Sequence, residues 1–180
     1  MNSNAIVIYR SKTGFTKKYA EMIAEELACP AAEWKSATPK NISQYDTLIF
    51  GSRAHAGRFD GYRQAKELFL KSGSNNFILF ATGAMPNTSK ETIQEFWRQN
   101  LSAEDLKAFS HFYMQSGLCY EKMGISDRIM MRAAKAMMKK KKEKTPQDRE
   151  FEQAISKSYD ISSKEYIMPL IHYYNFSLCD

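Results

Sequence analysis

The chain has 180 residues, 43% of them hydrophobic and 26% charged, with a formal net charge of +6; that length suits one domain able to bury a substantial core. No apolar run approaches the roughly 20 residues of a spanning helix. Met1-Asn2-Ser3-Asn4 carries no basic region or cleavage site, which argues against a secretory signal and makes cytoplasmic the expected location.

Ala5 to Tyr9 is a β-branched apolar run and reads as a buried strand. Thr16, Ala20, Ile23, Ala24 and Leu27 then share one face of a helix over residues 16–27. A weaker strand covers 31–35, and Thr47 to Phe50 is a buried strand ended by Gly51. A helix over 61–71 turns Tyr62, Ala65, Leu68 and Phe69 inward, and 77–81 is a fourth strand. Thr88 is placed to cap a helix carrying Ile93, Phe96, Trp97 and Leu101, with Glu91 completing a capping box. Residues 111–114 form a fifth strand, and helices follow near 127–142 and 147–158. The tail after Tyr159 is apolar enough to pack, with Pro169 suited to the first turn of a short helix. Strands alternating with helices give an α/β fold, an open five-stranded parallel sheet with helices on both faces. One domain over 1–180 is expected, with a core at about 5–158 and a short extension at 159–180.

Ligands of such sheets bind beyond the carboxyl ends of the strands. Three segments reach that edge: Ser11-Lys12-Thr13-Gly14-Phe15-Thr16, then Gly51-Ser52-Arg53-Ala54-His55-Ala56-Gly57-Arg58, then Thr82-Gly83-Ala84-Met85-Pro86. In the first, three hydroxyls surround a glycine ahead of a helix. Hydroxyls, free N–H groups and the helix dipole at one point suit a single phosphate; a plain hydroxyl-rich N-cap is the structural alternative. Neither GxxxxGK[S/T] nor GxGxxG is present, so no nucleoside-triphosphate loop or dinucleotide fingerprint is expected. The three cysteines (Cys29, Cys119, Cys179) and three histidines (His55, His111, His172) lack CxxC or ligand spacing, so neither disulfides nor a metal site is expected.

A strand, then [S/T]-x-T-G-x-T, then an amphipathic helix resembles the FMN-phosphate loop of flavodoxins. The resemblance runs from residue 5 to about 158 and implies a flavodoxin-like fold with FMN as cofactor. It implies that Ser11, Lys12, Thr13, Gly14, Phe15 and Thr16 hold the phosphate. By the same resemblance Ser52, Arg53, Ala54, His55, Ala56 and Gly57, with Thr82, Gly83 and Ala84, flank the isoalloxazine ring. Two further features are similar to one branch, the menaquinone-dependent protoporphyrinogen dehydrogenases. They are the loop G-S-R-A-H-A-G-R-F, and Gly117-Leu118-Cys119-Tyr120 followed by Asp127-Arg128 and a Met-rich basic helix. That branch implies oxidation of protoporphyrinogen IX through FMN, with a quinone or other small-molecule redox partner.

Residues 128–144 carry eight basic side chains against Glu143 alone, so the positive charge is a patch. Helix 127–142 has two readings. Ser126 caps it, with Ile125 and Met130 as a hydrophobic staple, and its Ile129, Met130, Ala133, Ala134, Met137 and Met138 face a core; or it lies on an anionic membrane surface, which would make the protein peripheral to the inner face of a membrane. Nucleic acid is not expected, since no base-reading or aromatic motif accompanies the charge.

Arg53, His55 and Arg58 beside a flavin would favour its reduced, anionic form. One cation at about 7 Å contributes roughly 1–2 kcal/mol, or roughly 20–40 mV for two electrons. The expected function is an FMN-dependent oxidoreductase of undetermined catalytic residues. The alternatives are a flavodoxin-type electron carrier to a protein partner, and a binding module without FMN.

Overall fold

The computed structural model describes residues 4–145, 149, 152 and 155–177. They form two compact units, Met1–Ser116 with Ser162–Asp180, and Gly117–Ile161.

The first unit contains β1 (Ala5–Tyr9), β2 (Ala31–Glu33), β3 (Thr47–His55), β4 (Arg58–Phe59), β5 (Asn76–Gly83) and β6 (Ser110–Gln115). Five are parallel in the order β2-β1-β3-β5-β6, and β4 folds back antiparallel on β3. The register sets Val7 beside Ile49, Ile49 beside Ile78 and Phe80 beside Phe112.

Pleating sends alternate residues to opposite faces, and both faces are covered. Ile6, Ile8, Leu48, Phe50 and Leu79 pack on Tyr62, Ala65 and Leu68 of α3 (Tyr62–Ser72) and on Phe96 and Trp97 of α4 (Lys90–Asn100). Between β2 and β3, the short α2 (Pro39–Ile42) adds Ile42 to this side. On the other face Val7, Ile49, Ile78, Phe80 and Met114 meet Tyr19, Ala20 and Ile23 of α1 (Phe15–Glu26). Ile167 and then Leu170, Ile171 and Tyr174 of the C-terminal helix (Met168–Ser177) pack there too, with Pro169 in that helix's first turn. Residues 162–177, an extension by sequence, therefore complete this core. Each fully buried Ile, Leu or Phe contributes about 1.5–3 kcal/mol.

A polar tie joins α3 to α5 (Ala103–Ala108). Tyr62 Oη donates to Asp105 Oδ2 at 2.7 Å, and Lys66 Nζ donates to both carboxylate oxygens at 2.7 and 2.9 Å.

Two local expectations change. The third strand continues through Gly51 to His55. A Cβ on Gly51 would lie 1.9 Å from Phe80 Cζ, so this glycine makes room for a ring and breaks nothing. At α4 the cap residue is Ser89, without a side-chain cap bond, and the Thr88–Glu91 box is not formed. Of the expected helix near 147–158, only 149, 152 and 155–158 fall within the described residues.

In the second unit β7 (Gly117–Leu118) pairs antiparallel with β8 (Tyr159–Asp160). A single 3₁₀ turn, Tyr120–Lys122, leads to α6 (Ile125–Lys140). This helix begins two residues earlier than the sequence implied, with Gly124 as its cap in place of Ser126. Ile125, Ile129, Met130 and Met137 are exposed, which departs from a core-facing helix. Among the described residues no helix is long and apolar enough to cross a membrane.

Candidate functional site

The carboxyl ends of β1, β3 and β5 are adjacent, so parallel pairing brings the three segments together. Tyr9 lies beside Gly51 and Arg53 beside Thr82. Beyond β1, Arg10 N donates to Gly51 O at 2.9 Å, and the chain turns into α1 at Gly14, whose φ of 99° favours glycine. Gly14 N donates to Ser11 Oγ at 3.2 Å. The first bond of α1 runs from Lys18 N to Gly14 O, so the N–H groups of Phe15, Thr16 and Lys17 lie in the turn where helices leave donors over. Ser11, Thr13, Gly14 and Phe15 are half-buried and Lys12 is exposed. Thr16 differs. It is buried, and its Oγ1 lies 2.8 Å from Thr82 Oγ1, tying the first segment to the third.

The second segment is a hairpin. Ser52, Arg53, Ala54 and His55 are strand residues, and Ala56 and Gly57 form the two-residue turn to Arg58. Their φ values, 49° and 75°, match the turn that follows the right-handed twist of paired strands. Alanine is strained there by about 1–2 kcal/mol. Arg53 Nε donates to Asp60 Oδ2 at 2.7 Å, with side chains 16% and 30% exposed. The cation expected to act on a flavin is thus matched by a carboxylate seven residues on. Arg58 is exposed. Ser52 Oγ is buried with no hydrogen-bond partner among the described residues.

In the third segment Thr82 and Gly83 end β5, and Ala84 begins the loop. Tyr113 Oη accepts from Met85 N at 3.0 Å; a Cβ on Gly83 would fall 2.5 Å from that oxygen. Asn87 N donates to Gln115 Oε1 at 3.1 Å, and Gln115 N donates to Asn87 Oδ1 at 3.0 Å. Tyr19 Oη donates to Gln115 O and accepts from Ser163 N at 3.3 Å. Asn100 clamps the hairpin, accepting from Phe59 N at 2.7 Å and donating to Gly57 O at 2.8 Å.

Asp60, Asn100, Tyr113 and Gln115 shape the site but were missed by the sequence reading. Asp60 had a signal, an acidic residue just past a basic hairpin. Tyr113 and Gln115 end a parallel strand at the ligand edge, also a readable position. For Asn100 only the fold supplies the partner.

A family model described as Flavodoxin domain matches residues 6–145. The chain belongs to the flavodoxin domain family. Among solved structures this flavodoxin domain is similar to a flavodoxin, WrbA-like protein from Agrobacterium tumefaciens, at 19% identity over 69% of this chain and 87% of that one, with a TM-score of 0.41. It is similar to a flavodoxin from the domain Archaea at 16% identity, over 70% of this chain and 92% of the other, with a TM-score of 0.40. Oxidised Flavodoxin 2 from Bacillus cereus is 16% identical over 61% of this chain and 84% of its own, with a TM-score of 0.37. No curated protein matches the chain.

The donor set fits the phosphate of FMN. Half-buried hydroxyls of Ser11 and Thr13 and the first N–H groups of α1 are dipolar donors suited to a dianion. The orphaned Ser52 Oγ on the neighbouring strand is an open polar valence of the kind a bound polar group satisfies.

Proposed function

We propose that this flavodoxin domain binds FMN and oxidises a reduced organic substrate, with a quinone as acceptor, in the manner of menaquinone-dependent protoporphyrinogen dehydrogenases. The observation that carries the reading is the turn at Gly14, where Ser11 Oγ accepts from Gly14 N and the chain enters α1 with its first N–H groups. Ser11, Lys12, Thr13, Gly14 and Phe15 hold the phosphate. Thr16 acts from inside, through its bond to Thr82. The hairpin residues Ser52 to Gly57 and the third-loop residues Thr82 to Ala84 flank the ring. FMN, when bound, supplies the two-electron chemistry. The chain's own residues orient it: Asn100 and the Arg53–Asp60 pair hold the hairpin, and Tyr113 and Gln115 hold the third loop.

The reading extends to a membrane. On α6 the exposed Ile125, Ile129 and Met137 lie along one side and Arg128, Arg132 and Lys139 along the adjoining side. Apolar and basic strips side by side match the anionic surface of a bilayer, whose apolar interior dissolves a quinone. Sedimentation should be greater with acidic vesicles than with neutral ones and should fall with salt. Lipid-independent sedimentation would remove this extension.

The central test is affinity. Thr13→Ala should weaken FMN binding by about 1.5–3 kcal/mol, the range of a hydrogen bond to a charged group. Riboflavin, which lacks the phosphate, should bind at least tenfold more weakly. Equal affinity for the two flavins, by fluorescence quenching, would overturn the reading. Arg53→Ala, which leaves Asp60 unmatched, should lower the flavin potential by roughly 20–40 mV at most, and Asp60→Asn should raise it. Turnover of protoporphyrinogen with a quinone analogue separates the enzyme from an electron carrier.

A further inference from the structure

Unit 117–161 contains a cleft of about 390 Å³ lined by Tyr120, Glu121, Arg128, Arg132 and Lys135. That volume lies within the range of small-ligand sites. The three cations recur at i, i+4 and i+7, which places them on one side of α6, facing the turn Tyr120–Lys122.

Two of them are fixed. Arg128 donates to the carbonyls of Tyr120 and Glu121 at 3.2 and 3.1 Å. Lys135 Nζ donates to Ser156 O at 2.9 Å and lies 4.6 Å from the Tyr120 ring centroid. The tyrosine is itself anchored, with its Oη donating to Ile155 O and its N–H to Ser158 Oγ. Glu121 Oε2 accepts from Ser158 Oγ at 2.7 Å and Cys119 Sγ at 3.4 Å, which turns that carboxylate oxygen toward them. Arg132, between the two fixed cations, makes no hydrogen bond or ion pair among the described residues. Three cations against one carboxylate leave two net positive charges on walls that are already ordered.

We propose that this cleft binds a phosphate dianion, with Arg132 as its principal ligand and Arg128 and Lys135 as flanking charges. A phosphate monoester carries about −1.5 to −2 at neutral pH, which matches the net charge of the lining. An arginine fork presents paired donors to its oxygens. None of its residues is placed at the flavin; Arg128 and Arg132 also border the strip proposed to meet a bilayer, and the phosphate titration in solution is independent of that contact.

The probe is inorganic phosphate, titrated into full-length protein while the arginine Nε resonances are followed by NMR. Arg128 and Arg132 should shift saturably while Arg63 and Arg98 stay nearly still. Arg132→Ala should weaken the affinity at least fivefold with unchanged circular dichroism, and Arg132→Lys should recover part of the loss. Non-saturating shifts spread evenly over all arginines would overturn the proposal, as would unchanged affinity in Arg132→Ala. Vesicles of phosphatidic acid identify the source. Displacement of the protein from them by millimolar phosphate, lost in Arg132→Ala, marks a lipid headgroup; saturable phosphate binding without such displacement marks a soluble phosphate ester.

Discussion

In the sheet unit Phe50, Phe80, Ile49 and Leu79 are fully buried, whereas along α6 of the 117–161 unit Ile125, Ile129 and Met137 are 80%, 59% and 68% exposed. The first unit is held by two apolar layers on a sheet. The second is held by polar contacts: Lys135 to Ser156 O, Arg128 to two carbonyls, and Lys144 to Glu152 at 2.7 Å. A helix that leaves apolar side chains in water gains little folding energy from them; the bilayer contact proposed for α6 would bury them instead. Substitutions should therefore act in opposite currencies, on stability in one unit and on binding in the other.

The largest expected effect is Phe80→Ala. It empties the centre of the layer around Val7, Tyr19 and Met114, and should cost about 3–5 kcal/mol in denaturant unfolding. A loss below about 1 kcal/mol would mean that the sheet unit does not depend on its core.

Asp105 comes next. Burial alone would raise its pKa, but hydrogen bonds from Lys66, Tyr62 and Ser102, with the Lys66 charge, hold it below the ordinary 3.8. A depressed carboxyl contributes its stability above the unfolded pKa and loses it as pH falls through the folded value. The wild-type protein should lose this contribution below about pH 4, on the acid limb only. Asp105→Asn should cost about 1–3 kcal/mol at pH 7 and flatten that limb. Burial, then the bond to Asp105, raises the Tyr62 pKa, so the pair is ionised only on the aspartate side at neutral pH.

Ala56→Gly should stabilise the hairpin. Relief of about 1–2 kcal/mol of left-handed strain is partly offset by the roughly 0.5–1 kcal/mol entropic cost of glycine, leaving a gain of at most about 1.5 kcal/mol. An unchanged or lower melting temperature would show that the turn adjusts around alanine.

Ile129→Ser should be the smallest in stability, within about 0.5 kcal/mol, because the side chain is already 59% exposed. The same change should reduce sedimentation with acidic vesicles. A stability loss of several kcal/mol would erase the contrast between the units and return α6 to a buried role.

The β1 strand, α1 and the Ser11–Thr16 segment were legible because their signals are local: an unbroken apolar run, a 3.6-residue period, and a glycine amid hydroxyls. The end of β3 was not. Glycine usually punctuates, and only the Phe80 ring above Gly51 shows that this one continues a strand. The capping box at Thr88 had the right residues, yet the turn made by Ser89 N to Pro86 O moves the helix start. Arg53 and the acidic Asp60 seven residues on were both visible in sequence; that they pair required the hairpin.

By itself the sequence determined the alternation of strands and helices and the glycine turn into α1 at Gly14, since periodicity and backbone permission are properties of short segments. The tertiary structure alone decided that Thr16 meets Thr82 across 66 residues. It decided too that the final helix, carrying Leu170, Ile171 and Tyr174, covers the α1 face of the sheet, while the apolar residues of α6 stay exposed. Both segments are apolar with helical spacing. Which one is buried depends on the partner each meets, and that is information held between distant segments.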